Sequence, residues 1–202
     1  VDTGVLRREH DDWVVVGDLT KVSVPPSVTA LLAARLDRIP RPERVMLEWI
    51  SVMGLEFTTT DASALAAGGV DGGVDVLPLL ASLSRRDLLR PVPGLGAETW
   101  AFRHVLLRDA AYEALPKSVR ATLHEQVANQ LQESGAATGG EIHAFVGHHL
   151  EQAVRLQREL SNQGEAVAAL ARRAASTLAA AGAHARDTDD LPSAVALPGR
   201  AD

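Results

Sequence analysis

The chain has 202 residues, enough to bury a core and to divide into one or two domains. It contains no cysteine, which excludes disulfides, thiolate metal sites and cysteine nucleophiles and fits a reducing cytoplasm, the expected location. Its 26 acidic against 20 basic residues give a net charge of −6, which weighs against a broad nucleic-acid footprint. Aromatic residues make up only 3% of an alanine- and leucine-rich chain, a balance that suits helix packing better than a β-sandwich. No apolar run approaches the about 20 residues needed to cross a bilayer, and the stretch after Val1 has no signal-peptide pattern.

In chain order, Val5 to Val16 reads as a small hairpin, with a polar turn through Glu9, His10, Asp11 and Asp12. Ser27 is positioned to cap a helix whose apolar stripe is Val28, Leu31, Leu32, Leu36 and Ile39, and Pro40 stops it. Arg35 and Arg38 lie off that stripe, in solvent. Pro42 sits near the start of a second helix with Val45, Met46, Trp49, Ile50 and Met53 on one face and Gly54 at its end. Phe57 and the cap signal Thr58, Thr59, Thr60 and Asp61 lead into a short helix from Ala62 to Ala67, closed by Gly68 and Gly69. A flexible connector runs on to Gly73. Val76, Leu77, Leu80, Leu83 and Leu88 mark a third helix ending around Asp87.

Leu88–Val92 and Glu98–Phe102 flank a Pro93–Gly96 turn and predict a β-hairpin. Three short helices followed by a hairpin is the order of a winged helix-turn-helix, with the hairpin as its wing. From His104 onward the pattern is helical. Val105 to Leu115 forms one segment and Leu123, Val127 and Leu131 another, while Glu141–Leu160 and Glu165–Ala185 form an antiparallel pair joined near Ser161 to Gly164. The fold class expected is therefore mainly α, a winged helix followed by helical hairpins that resemble tetratricopeptide (TPR) units. Asp187–Asp202, with Pro192, Pro198 and Gly199, is expected to be poorly ordered.

The chemistry expected is non-catalytic. A GxxxxGK[ST] phosphate loop and a GxSxG nucleophile turn are both absent, and the glycines from Gly68 to Gly73 have no lysine after them. His143, His148 and His149 with Glu141 and Glu151 have the wrong spacing for metal ligands, since helix neighbours on one face recur at i+3 or i+4. Helix packing and hydrogen bonding are the expected work of these histidines. If the winged helix read DNA, Ser84, Arg85, Arg86 and Arg90 would reach phosphates. Between Arg41 and Pro116, however, seven Arg and no Lys stand against ten Asp and Glu, which weighs against it. His104 is the residue that stands out: it joins an apolar strand to an apolar helix, where an imidazole can stand beside unpaired backbone N–H groups and face an anion. The alternative is a buried histidine that caps the junction.

Three segments in order carry a family resemblance: Val24–Arg38 (VPPSVTALLAARLDR), Phe102–Leu115 (FRHVLLRDAAYEAL) and Gly147–Ala153 (GHHLEQA). They resemble the region that follows the nucleotide-binding core in bacterial STAND-class signal-transduction ATPases. In that class an AAA-like ATPase is paired with a class III adenylate/guanylate cyclase domain or a LuxR-type DNA-binding domain. The resemblance implies that residues 1–40 end an ATPase helical lid and 41–116 form a winged helix. Residues 117–186 would be a TPR-like region and 187–202 a disordered or truncated tail. It implies a fragment, with ATP or ADP and magnesium held by a parent's nucleotide-binding domain and no cofactor held here. The partners implied are that domain within the same polypeptide and other proteins through the helical region; the acidic excess weighs against DNA, and no membrane partner is expected. The related NB-ARC ATPases have a Met-His-Asp motif whose histidine contacts the ADP phosphate. Arg103, His104 and Val105 stand in its place, so His104 is the implied nucleotide-phosphate sensor, without the flanking Met and Asp.

Overall fold

A computed structural model describes residues 6–9, 12–15, 26–68, 75–93, 98–133 and 140–187. Among these residues the chain is mainly helical, with eight α-helices, a two-stranded ribbon and a three-stranded antiparallel sheet. The ribbon pairs β1 (Leu6–Glu9) with β2 (Asp12–Val15), Leu6 opposite Val15 and Glu9 opposite Asp12. Pairing thus continues further toward the turn than the polar residues suggest.

Helix α1 spans Pro26–Leu36, so Ser27 lies inside its first turn rather than at the cap, proline being well tolerated there. Of its expected stripe, Leu36 and Ile39 enter the core and Leu32 packs partly against it, whereas Leu31 is 71% exposed. Arg35 is exposed as expected, and its Nη2 donates to the Arg86 carbonyl at 3.1 Å. Helix α2 (Arg41–Ile50) buries Met46, Leu47 and Ile50 and runs into a single 3-10 turn, Ser51–Met53. Gly54 then takes φ 120°, a conformation that a side chain would strain.

The next three residues, Glu56–Thr58, form a strand, β3, that the sequence reading misses, so the sheet has three strands rather than two. Helix α3 (Thr59–Ala67) follows at once. Thr58 accepts from the Asp61 amide at 3.1 Å while the Thr58 amide donates to the Asp61 carboxylate at 3.1 Å, a reciprocal capping box. Of the Gly68–Gly73 connector, Gly68 caps α3 and Gly69–Gly73 lie outside the described residues. Helix α4 is Val76–Arg85, with Asp75 accepting from the Leu77 amide at its start. It stops two residues before the expected end, because Asp87 turns left-handed (φ 60°) and the Leu88 amide donates back to Leu83 O at 3.1 Å. That turn delivers β4 (Leu89–Val92), which pairs with β5 (Thr99–Phe102) as the expected hairpin; residues 94–97 of its turn lie outside the described residues.

The sheet order is β3-β5-β4, with Phe57 opposite Trp100 and Leu89 opposite Phe102. Pro91, which has no amide to donate, sits on the edge strand β4. Phe57 and Phe102 meet edge to face, 6.2 Å between centroids, over the helices. Helices α5 (Val105–Ala114) and α6 (Lys117–Glu133) close one apolar core that runs from Leu36 and Ile39 through Ile50, Leu80, Leu83 and Leu107 to Leu123 and Val127. A second core joins α6 to α7 (Gly140–Glu159) and α8 (Glu165–Asp187), through Ala128, Val146, Leu150, Ala153, Leu170 and Ala174. Leu131 of α6 packs against both. The expected α7–α8 hairpin is present, turning at Ser161 (φ 59°) and Gly164 (φ 151°). Gly147 lets the two helices close, since a Cβ there would lie 2.6 Å from Leu178 Cδ2. Of the expected poorly ordered tail, residues 188–202 lie outside the described residues. Among the described residues no helix is long and apolar enough to cross a membrane.

Candidate functional site

Strand β5 is the central strand of its sheet, and its last residue, Phe102, is 4% exposed. That anchor fixes where the chain leaves the core. The Arg103 amide still pairs with Leu88 O at 3.0 Å, and the Arg103 side chain binds the Asp87 carboxylate through Nη2 at 2.5 Å and Nε at 2.6 Å. His104 follows with extended backbone (φ −144°, ψ 141°) as the N-cap of α5. Its carbonyl accepts from Leu107 N at 3.1 Å and Arg108 N at 3.3 Å, but its side chain makes no capping bond. The imidazole is exposed, so the alternative of a buried capping histidine does not hold: the carbonyl caps and the ring is left for solvent or a partner. Val105 beside it is 51% exposed. Nearby cations are engaged: Arg103 with Asp87, and Arg108 with Ser51 O through Nε at 2.8 Å and with Asp109 through Nη1 at 2.9 Å. His104 therefore offers one exposed hydrogen-bonding group at this helix start.

One turn further along α5 lies a polar cluster that sequence reasoning misses. Arg108 and Arg120 stack on the two-sided ring of Tyr112, their guanidinium carbons 5.0 and 4.9 Å from its centroid. The Tyr112 hydroxyl is 2.9 Å from His124 Nε2, and His124 Nδ1 is 2.8 Å from His149 Nδ1. His124 and His149 are 2% and 1% exposed. A contact of 2.8 Å between two ring nitrogens holds one proton: one Nδ1–H donates and the other accepts. Burial is the main reason that the His124 pKa is pushed down to about 2 and that of His149 to about 3, with His148 and Arg108 adding repulsion at both rings and each other's charge and Arg155 adding it at His124. Both rings are thus neutral at pH 7. His149 also borders a pocket of about 70 Å³ lined by Met53, Phe57, Val127, Leu131 and Phe145. Its Nε2 is buried without a hydrogen-bond partner among the described residues.

The other sequence-selected residues are scattered. His149 does turn inward to a helix–helix hydrogen bond, as expected of these histidines, whereas His143 and His148 are exposed, and the side chain of Glu141 lies outside the described residues. Glu151 is half-buried on the same helix. Among the described residues no three His, Asp or Glu side chains converge as metal ligands. Arg86 is tied to Glu43 at 2.7 Å, Arg85 and Arg90 are exposed, and Ser84 is half-buried. A signal for the hidden cluster exists in hindsight: Tyr112 is the chain's one tyrosine, and His124 sits on the apolar face shared by Leu123 and Val127. In comparisons with known proteins, no family model, no curated protein and no solved structure matches this chain.

Proposed function

We propose that the chain is a non-catalytic regulatory and interaction module of a nucleotide-switched signalling ATPase of the STAND class. In this reading residues 41–116 form a winged helix that docks on a nucleotide-binding domain, and His104 contacts the phosphate of bound ADP. The helices from Lys117 onward carry the switch to protein partners or an effector domain. ATP, ADP and magnesium belong to the parent's nucleotide-binding domain, and this segment supplies a contact rather than catalysis.

The observation that carries the reading is the exposed His104 imidazole, held at a rigid strand–helix junction and unused by the cap beside it. Two further features support it. The element order α2-β3-α3-α4-β4-β5, with β3 paired to β5, supports the winged-helix reading. The adjacent exposed Val105 gives the corner an apolar contact for a docking domain. Retention of ADP by the parent protein tests the reading: His104→Ala should speed ADP release, and unchanged release and affinity would refute it.

Exposed Arg85 and Arg90 favour a second reading, a winged-helix DNA-binding regulator. Salt-dependent binding to duplex DNA would support it, and no binding at low salt would dismiss it. The engagement of Arg86 by Glu43 and the acidic excess of this region make it the weaker of the two.

A further inference from the structure

The α7–α8 hairpin is attached to the rest of the molecule chiefly through α6. Helix α8 packs mainly on α7, α7 packs on α6, and the apolar core beneath them is separate from the one that holds α1 to α5. At that attachment stand His124 of α6 and His149 of α7, nitrogen to nitrogen at 2.8 Å and sealed from solvent. Such a contact holds one proton between the rings, so both rings cannot be charged there: two N–H donors would then meet head to head, and even one charge would be buried away from water.

We propose that the α6/α7 interface is an acid-released clasp: the imidazole pair at its centre holds the α7–α8 hairpin on α6 near neutral pH and lets it lift away as the medium turns acidic.

The surroundings work in the same direction. Arg108 of α5 and His148 of α7 repel positive charge on both rings and Arg155 of α7 does so at His124, while Tyr112 of α5, flanked by Arg120 of α6, bonds His124 Nε2. Two carboxylates, Glu56 of β3 and Asp61 of α3, line the pocket that His149 borders, and Glu151 follows His149 by two residues on α7. Neither pocket carboxylate figures among the influences on either ring, and Asp61 is already committed to the Thr58 cap. No titratable group of α8 figures among the influences on the pair.

The sign follows from where protons bind. In the closed form both rings stay neutral down to about pH 3, whereas in the opened form each regains an ordinary value near 6.5. The opened form therefore takes up protons as pH falls below about 6.5, and opening becomes easier there. With two histidines, the opened population rises roughly a hundredfold between pH 7.5 and 5.5, and with one roughly tenfold. Lys117, which also joins α6 to α7 through Glu159, holds the Glu159 carboxyl below its ordinary value, so that carboxylate stays charged across this range.

Native-state hydrogen exchange of the whole chain, expressed as protection relative to the intrinsic rate at each pH, reads this directly. At pH 7.5 amides of α7 and α8 should be less protected than those of α2 and α4, and on moving to pH 5.5 their protection should fall roughly a hundredfold. The same protection in both sets of helices would overturn the proposal by showing one cooperative unit, and α7 protection that ignores pH would overturn it by removing the trigger. His124→Gln should reduce the fall to roughly tenfold, while His148→Gln, at an exposed ring outside the bonded pair, should leave it near a hundredfold. Because the wild-type comparison stands alone, a variant that fails to fold leaves the test intact.

Discussion

Three side chains, Tyr112, His124 and His149, are joined by hydrogen bonds across three helices, and the cost of removing one is set by what it leaves behind. Tyr112→Phe keeps the ring that Arg108 and Arg120 stack on but leaves His124 Nε2 without its partner at 2.9 Å. A buried polar group so orphaned costs about 1–3 kcal/mol, which chemical denaturation should register as a lower midpoint with an unchanged slope. His104→Ala is the contrasting case. The ring is exposed and makes no capping bond, while the backbone carbonyl that does cap is retained. Its stability should therefore stay within about 0.5 kcal/mol of the parent chain in the same assay. The two sites also differ in how far the sequence reveals them. His104 is legible because a strand, a junction and a helix are consecutive. The buried relay is not, because its members lie 12 and 25 residues apart and meet only when α5, α6 and α7 pack.

Local chemistry decides several elements. The Thr58–Asp61 cap is readable as a sequence signal and is realised as a reciprocal pair of hydrogen bonds. Thr58→Ala should cost about 1 kcal/mol, measured as a shift in thermal midpoint, whereas the same change at exposed Thr60 should not. Strand β3 escapes the sequence because three residues show no alternation; it forms because β5 offers a free edge and the Leu55 carbonyl accepts from the Phe102 amide at 2.9 Å. The expected extension of α4 to Asp87 fails for a similar reason, since Leu88 looks helical by period but is claimed by the start of the sheet. In the α7–α8 pair, helix propensity and packing oppose each other at Gly147. Alanine there would gain about 1 kcal/mol of helix propensity, but its Cβ would meet Leu178, a side chain only 1% exposed with little room to yield. Overpacking of about 1–3 kcal/mol should win, and Gly147→Ala should lower the thermal midpoint.

At the scale of the molecule, α6 is the spine on which two cores meet. Its Leu123 and Val127 belong to the core under the sheet, its Ala128 to the core of the helical hairpin, and Leu131 touches both. The sheet end presents the exposed His104, and the hairpin end meets α6 at the His124–His149 contact. The same division makes the account testable at each end separately. The overall class, mainly helical with a small sheet, was legible from alanine- and leucine-rich periodicity broken by two turn signals. The way α6 serves both cores was not, since its apolar residues point to more than one side and period alone cannot say which neighbour each side meets.

The central claim is that the His104 imidazole contacts the phosphate of ADP in the parent ATPase, and the rate of ADP release from that protein tests it most directly. A hydrogen bond to a charged phosphate is worth about 1.5–3 kcal/mol, so His104→Ala should speed release by roughly ten- to a hundredfold, with the module's own stability unchanged. Release at the wild-type rate from a folded His104→Ala protein would contradict it.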